Sequence, residues 1–516
     1  MPSSRLVHAL RLVWVLVIVW YELLVFRYQV SQCDWPEVTL DEQMVADSVR
    51  NTAHVLLIAD PQVLDHRSYP DRPPWLMWLS QRIVDSNMRK SWWATKKLQP
   101  DVIMFLGDMM DGGRFAMSDA EYEAYLSRTK DIFATDGSVP VYYIPGNHDV
   151  GIGVSDEWSE VARVRWLSHF GPLQQRVEIS NHTFVLVDAP GLVEEERQRS
   201  IDSLPLPIWA STRPNGAIAF AHQSMEVARS QGQPTVLLTH IPLTRARGTS
   251  CGPLREQGTI RDGHGYGYEN TLDYEVSRLL LDVLRPSIIF SGDDHDYCEI
   301  HHALSASDDV SLSKQRSVKE VSVKSFSIAM GVRRPGFQLL SLVPPSLASP
   351  SGPPLSDTPC FLPFQLGTYV FIYGPLTLLS LLILLTNHIY RAYHPGAANH
   401  SLAIPLSSRQ SSLPNDIEQA AFMLPPPTPG FAVKAASRRK NGRPYSEMVF
   451  KLNLGGQKLV ADLTSVRDLL QCACCATRGG MDKRRTTRVL RAFFADVLAV
   501  AWLPVALFAT MVWWFL

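Results

Sequence analysis

The chain lacks a second Cys-x-x-Cys pair: of its seven cysteines, Cys33, Cys251, Cys298, Cys360, Cys472, Cys474 and Cys475, only Cys472 and Cys475, within "CACC", have that spacing. A structural zinc site of the usual spacing is therefore excluded. Net charge is also scarce, −1 over 516 residues. Bulk electrostatics thus gives no reason to expect a nucleic-acid partner, and none is assigned. No small-residue cleavage site follows the first apolar run, which favours an uncleaved signal anchor over a removed signal peptide. The length allows two to four domains.

Apolar sequence, 46% of the chain, is concentrated at the two ends. "RLVWVLVIVWYELLVF" (11–26) is short for a span and contains Glu22. "FQLGTYVFIYGPLTLLSLLILLT" (364–386) and "VLAVAWLPVALFATMVWWFL" (497–516) are charge-free and long enough to cross a bilayer. The expected division is an N-terminal anchor helix at 1–30, a main domain at 31–345, a linker at 346–363, a span at 364–386, a loop at 387–496 and a span at 497–516. That loop is basic ("SRRKNGR", "RGGMDKRRTTR") and holds "LPPPTPG", so it reads as cytosolic and largely disordered. The main domain is then lumenal. Four cysteines on that side are able to pair in an oxidising lumen. The "CACC" cluster at 472–475 is either a palmitoylation site or a set of reduced thiols.

Between the ends, short apolar runs alternate with amphipathic stretches: "HVLLIAD" (54–60), "DVIMFLGD" (101–108), "VYYIPGNHD" (141–149), "TFVLVDA" (183–189), "TVLLTH" (235–240) and "SIIFSGDDH" (287–295). The segments 75–98 and 272–285 between them are helix-like. The pattern predicts an α/β domain with buried strands. Most runs end on a residue able to ligate a metal: Asp60, Asp108, Asn147, His240, and Asp293 with His295. Open α/β sheets bind ligands beyond the carboxyl ends of their strands. Alone, "FSGDDHDYCE" (290–299) reads either as a solvated acidic turn or as a cation nest, because clustered carboxylates repel unless a cation sits among them.

The set Asp60-Pro61-Gln62, Gly107-Asp108-Met109-Met110-Asp111, Gly146-Asn147-His148-Asp149, His240 and Gly292-Asp293-Asp294-His295 resembles, in order and spacing, the motifs of the calcineurin-like metallophosphoesterases over residues 53–345. The resemblance implies a central β-sandwich flanked by helices, here with transmembrane helices at both ends, and two divalent metal ions. It implies that Asp108 bridges the metals, that Asp60, His295 and Gln62 complete one site, and that Asn147, His240 and Asp293 complete the other. His148 would be the acid–base group, oriented by Asp149, with Asp111 fixing the turn around Asp108. Gln62 and Asp293 depart from the pattern, which has histidine at both places. Oxygen in place of imidazole makes the ligand set harder and points to Mn²⁺.

The stretches 250–270 and 323–342 are similar to a membrane-bound subgroup, especially its fungal members, that remodels GPI anchors in the early secretory pathway. This implies hydrolysis of an ethanolamine-phosphate branch from a mannose, with GPI lipid or GPI-anchored proteins as substrate, in the endoplasmic reticulum or between it and the Golgi. The loop 244–270, with Arg245, Arg247, Arg255, Arg261, His264, Tyr266 and Tyr268, either borders the site or is solvated surface. Cys251 and Cys298 are either a disulfide pinning that loop or two thiols. Two other functions fit the same residues. One is a lumenal phosphoesterase acting on another ester. The other is a non-catalytic membrane scaffold in cargo exit or manganese homeostasis.

Overall fold

The structure is a computed structural model that describes residues 4–40, 52–152, 160–265, 267–304, 317–350, 352–394, 451–454, 457–460 and 483–515. The chain divides into two compact units, Arg5–Thr377 with Val500–Leu516, and Met1–Ser4 with Leu378–Ala499. Within the second of these, Lys451–Leu454 pairs antiparallel with Gln457–Val460. The "SRRKNGR", "LPPPTPG" and "CACC" motifs lie outside the described residues.

The first unit holds the strands β1 (Ala53–Ile58), β2 (Val102–Phe105), β3 (Val141–Tyr143), β4 (Gln175–Ile179), β5 (His182–Leu186), β6 (Thr235–Leu238), β7 (His264–Gly265), β8 (Tyr268–Glu269), β9 (Ile288–Ser291), β10 (Cys298–Ala303), β11 (Ser317–Ser322), β12 (Gly336–Leu342) and β13 (Leu355–Phe361). They form a five-stranded sheet, β13-β12-β1-β2-β3, a six-stranded sheet, β10-β11-β9-β6-β5-β4, and the small hairpin β7–β8. The pairs β1–β2, β2–β3, β5–β6, β6–β9 and β9–β11 are parallel.

Parallel strands buried on both faces read as continuous apolar runs, and the alternation along them assigns each face. On β1, Val55 and Leu57 join Leu186, Val236, Leu238 and Phe290 in the core between the sheets. Leu56 and Ile58 point the other way, onto Met88 and Trp92 of the helix Pro74–Thr95. Across the second sheet, Val185, Leu237 and Ile289 pack on Leu192, Ile218 and Leu280 of the flanking helices. The result is the expected sandwich between helix layers. Pro74 stands in the first turn of its helix, where a missing N–H is no loss.

The stretch 346–363 is not a linker. β13 runs antiparallel to β12 over seven residue pairs, from Gly336↔Phe361 to Leu342↔Leu355. Pro359 disguised it, yet proline is tolerated on a sheet edge, which is where β13 lies. Cys360 is bonded to Cys33, just past the first membrane helix.

Three helices are long and apolar enough to cross a membrane: Arg5–Val30, Gln365–Tyr393 and Arg485–Trp514. Each extends beyond the apolar run read from sequence. The first does so because its last turns enter the domain core, with Val25, Phe26 and Val30 packed in the same cluster as Met88 and Trp92. Glu22, fully buried in that helix, is bonded on both oxygens. Lys90 Nζ donates to Oε2 at 2.6 Å, while Gln365 Nε2 at 2.8 Å and Tyr373 Oη at 3.0 Å donate to Oε1.

Candidate metal centre

Five segments leave the carboxyl ends of parallel strands and converge. Asp60 follows β1, Asp108 follows β2, Asn147 follows β3, His240 follows β6, and Asp293 and His295 follow β9. The turns are strained. Asp60 (φ 48°), Gln62 (36°), Asp108 (55°), Asp293 (64°) and His295 (67°) all occupy the left-handed region. Residues with side chains adopt it at a cost of order 1–3 kcal/mol each, and such strain clusters at functional sites. The approach is close enough to require glycine. A Cβ on Gly146 would lie 2.5 Å from the Asp108 backbone nitrogen.

His240 is the hub. Its Nδ1 donates to the Leu106 carbonyl at 2.7 Å, which leaves Nε2 to present a lone pair. Around Nε2 lie Asn147 Oδ1 at 3.1 Å, Asp108 Oδ1 at 3.4 Å and Asp293 Oδ1 at 3.6 Å. Asp60, Asp108 and His240 each offer a buried ligand atom within 4.8 Å of the others. Asp60 Oδ1 accepts the Asp293 N–H at 3.0 Å, whereas its buried Oδ2 has no hydrogen-bond partner.

The buried carboxylates raise one another's affinity for protons. Burial first, then the charges of Asp108 and Asp293 against the pull of His240, push the Asp60 carboxyl well above its usual range. Burial likewise lifts Asp293 to about 7. The carboxylates and lone pairs converge with one orphaned oxygen among them, so the donor set fits divalent metal.

Each remaining candidate has a definite place. Gln62 Nε2 donates to Asp108 Oδ2 at 2.7 Å, so Gln62 meets the site through the Asp108 carboxylate. His295 shares the Asp293 turn, its carbonyl accepting from the Ser325 N–H at 2.9 Å. Burial lowers its imidazole to about 4, leaving the ring neutral as a ligand must be. His148 Nδ1 lies 2.7 Å from the Asp111 carbonyl and 3.2 Å from its Oδ1. Burial opposes the charged ring, but the Asp108 charge and the bond to Asp111 outweigh it and lift His148 to about 9.

Asp149 does not orient His148. Its carboxylate accepts the backbone N–H groups of Met110 (3.1 Å) and Gly146 (3.0 Å), tying together the two ligand turns. Asp111 is the orienting residue. Residues 148 and 149 are neighbours on the short helix Asn147–Val150, so their side chains leave it about 100° apart and reach different partners.

Two arginines of loop 244–270 are paired with carboxylates inside the domain. Arg245 is buried on Glu320 at 3.0 Å, and Arg255 forks onto Asp294. Asp296 accepts the N–H groups of Glu256 and Gln257 at 2.8 Å and lies 3.2 Å from Lys324 Nζ. Cys251 and Cys298 form a disulfide. The acidic residues flanking the ligands therefore anchor the loop. Sequence reasoning missed Gly267, whose carbonyl accepts Asn147 Nδ2 at 2.9 Å and turns the amide so that Oδ1 faces His240. A backbone acceptor leaves no residue-type signal.

Residues 53–297 match the family model described as calcineurin-like phosphoesterase. Over 354 residues the chain is 34% identical to "Cell division control protein 1" of Saccharomyces cerevisiae, an alignment covering 66% of this chain and 65% of that one. It is 28% identical over 378 residues to "Metallophosphoesterase 1" of Ailuropoda melanoleuca, covering 71% of this chain and 86% of that one. With the Mus musculus protein of the same name the identity is 26%, over 71% of this chain and 85% of the relative. The strand-end ligands and these similarities agree: over residues 53–297 this chain carries the domain of the calcineurin-like, metal-dependent phosphoesterases.

Proposed function

We infer that the chain is a membrane-bound phosphodiesterase of the early secretory pathway that removes an ethanolamine-phosphate branch from a mannose of GPI anchors, with its catalytic domain in the lumen. The observation that carries the lipid-linked substrate is the fusion of domain and membrane helix. Val25, Phe26 and Val30 belong to the domain's core, and Glu22 is bonded to Lys90. A site held rigidly at a bilayer suits a substrate that resides in one. The likeness of stretches 250–270 and 323–342 to the GPI-remodelling subgroup supports the substrate class.

Asp60, Asp108, Asn147, His240, Asp293 and His295 would hold two divalent cations, with Gln62 orienting Asp108. When bound, the metals supply Lewis acidity and a water that is deprotonated near neutral pH. Gly267 keeps the Asn147 oxygen turned toward the site. Asp111 holds Nδ1 of His148, so Nε2–H is left to donate to a phosphoryl oxygen or to the leaving oxygen. Mass spectrometry of GPI glycans tests the reading. Cells lacking this protein should accumulate the extra ethanolamine phosphate, and an Asp108→Ala copy should not remove it. Unchanged glycans would leave the other phosphate esters as the substrate class.

A further inference from the structure

The hairpin β7–β8 borders the metal centre through Gly267, whose carbonyl takes hydrogen bonds from Asn147 and, at 3.2 Å, from Arg114. Beside Gly267, Tyr268 pairs across the hairpin with Gly265. Its ring lies against that glycine: a Cβ on Gly265 would sit 2.7 Å from Cζ, and one on Gly263 would sit 3.9 Å from Cε2. An aromatic ring covering a cross-strand glycine fixes the ring's pose. Yet Tyr268 remains 47% exposed. The same Gly265 Cβ position lies 2.8 Å from Oη, so glycine backs this end of the ring and the exposure belongs to the side turned away from it.

A braced ring with one open face, one residue from the carbonyl that orients a metal ligand, is a stacking platform. It has little freedom left to lose on binding. Aromatic faces receive the C–H face of a pyranose, and the phenol adds a polar handle. Exposed His264, on the paired strand, can meet the sugar's hydroxyls. We propose that Tyr268 forms a carbohydrate subsite holding the sugar ring that carries the scissile phosphodiester. This rests on the reading of the substrate as glycan-borne.

The test uses the full-length chain in detergent, loaded with Mn²⁺, on two substrates: a synthetic mannoside bearing an ethanolamine phosphodiester, and bis(4-nitrophenyl) phosphate. The quantity read is the ratio of kcat/KM between them. Tyr268→Ala should lower the mannoside preference about tenfold, mainly through KM, which is about 1.4 kcal/mol and the upper part of the range for an aromatic contact. Tyr268→Phe should keep most of the preference, and Gly265→Val, which displaces the ring, should reproduce the alanine loss. An unchanged ratio in Tyr268→Ala would overturn the subsite. So would a loss that falls equally on both substrates, which is the mark of a displaced Asn147. So would a loss confined to a nucleoside phosphodiester used as a third substrate. A wild-type enzyme that cleaves bis(4-nitrophenyl) phosphate but not the mannoside overturns the glycan reading instead. The subsite is then read from inhibition of that cleavage by methyl α-mannoside, which Tyr268→Ala must weaken for the proposal to stand.

Discussion

Removing the Asp108 carboxylate takes away the acceptor of the Gln62 amide and of the His148 backbone N–H, along with the carboxylate oxygen nearest His240 Nε2. Asp108→Ala should therefore bind little metal and show no measurable turnover. His148→Ala should keep its metal and lose roughly 2–4 orders of magnitude in kcat. Asp111→Asn should fall between wild type and His148→Ala, because Asp111 only orients the ring. Asp149→Asn separates the two readings of that residue. It should lower stability by about 1–3 kcal/mol, the worth of a buried acceptor serving two donors, more than it lowers the chemical step in the folded fraction. Metal content by mass spectrometry, thermal melts and single-turnover kinetics distinguish these outcomes, and a stable Asp149→Asn enzyme with the His148→Ala defect would restore Asp149 to the acid–base pair. The ligand set also carries a metal prediction. Asp293 brings oxygen and charge where the family has imidazole, so Mn²⁺ should reactivate the chelated protein better than Zn²⁺. Asp293→His should shift the preference toward Zn²⁺. Full activity with Zn²⁺ and none with Mn²⁺ would refute the hard-ligand argument.

Among the elements, β9 and β11 carry the buried network behind the site. Glu320 accepts from Arg245, Ser291 Oγ and the Leu243 N–H, each at 3.0 Å. Burial alone would raise its carboxyl. Arg245 and His302 outweigh burial and hold it below the usual range. A depressed carboxylate gives stability that is fully present above its unfolded pKa, about 4.3, and lost as pH falls through the folded value. Wild type should thus be more stable than Glu320→Gln at pH 7, with the gap in melting temperature narrowing below about pH 4. A gap that is constant with pH would mean that Glu320 acts by shape alone. From sequence the loop 244–270 is either a site border or solvated surface, and its wiring is not legible. Asp294, Asp296 and Cys298 follow the ligand turn in sequence, and their partners Arg255, Lys324 and Cys251 are known only once β9, β10 and β11 are assembled.

At the largest scale, the helix Pro74–Thr95 meets the ends of the first and third membrane helices: Lys90 touches Glu22, and the Trp93 ring packs 6.1 Å from Phe515. Gln365 joins the same buried cluster. The C-terminal ends of the first and third helices and the N-terminal end of the second are therefore on the catalytic domain's side. Glu22 is 0% exposed and the Lys90 side chain 3%, so neutralising one alone strands the other. Either Glu22→Leu or Lys90→Met should cost about 3–5 kcal/mol, and the double variant should recover most of it. Additive losses in detergent melts would argue against the pair. Glycosylation tests the sidedness. Asn181 is exposed at the tip of the β4–β5 hairpin, where Ser180 (φ 49°) and Asn181 (57°) form the turn suited to two-residue loops. With the catalytic domain lumenal, an endoglycosidase shift should depend on Asn181 and not on Asn399, which lies outside the described residues. A shift that depends on Asn399 would invert the topology.

Local order determined much of this protein. A strand ending in a residue type able to ligate metal is a contiguous pattern, so the candidates Asp60, Asp108, Asn147, His240, Asp293 and His295 could be picked out along the chain, as could three apolar helices. Only the tertiary structure decided what depends on contacts between distant segments. It gave the orientation of His148 to Asp111 and enrolled β13 as an edge strand. It closed Cys33 onto Cys360 across 327 residues and matched Glu22 with Lys90. The reason is physical: hydrophobic periodicity and ligand type are carried by each residue and its neighbours, whereas the partner of a buried charge is whichever residue the packed layers bring within hydrogen-bonding distance.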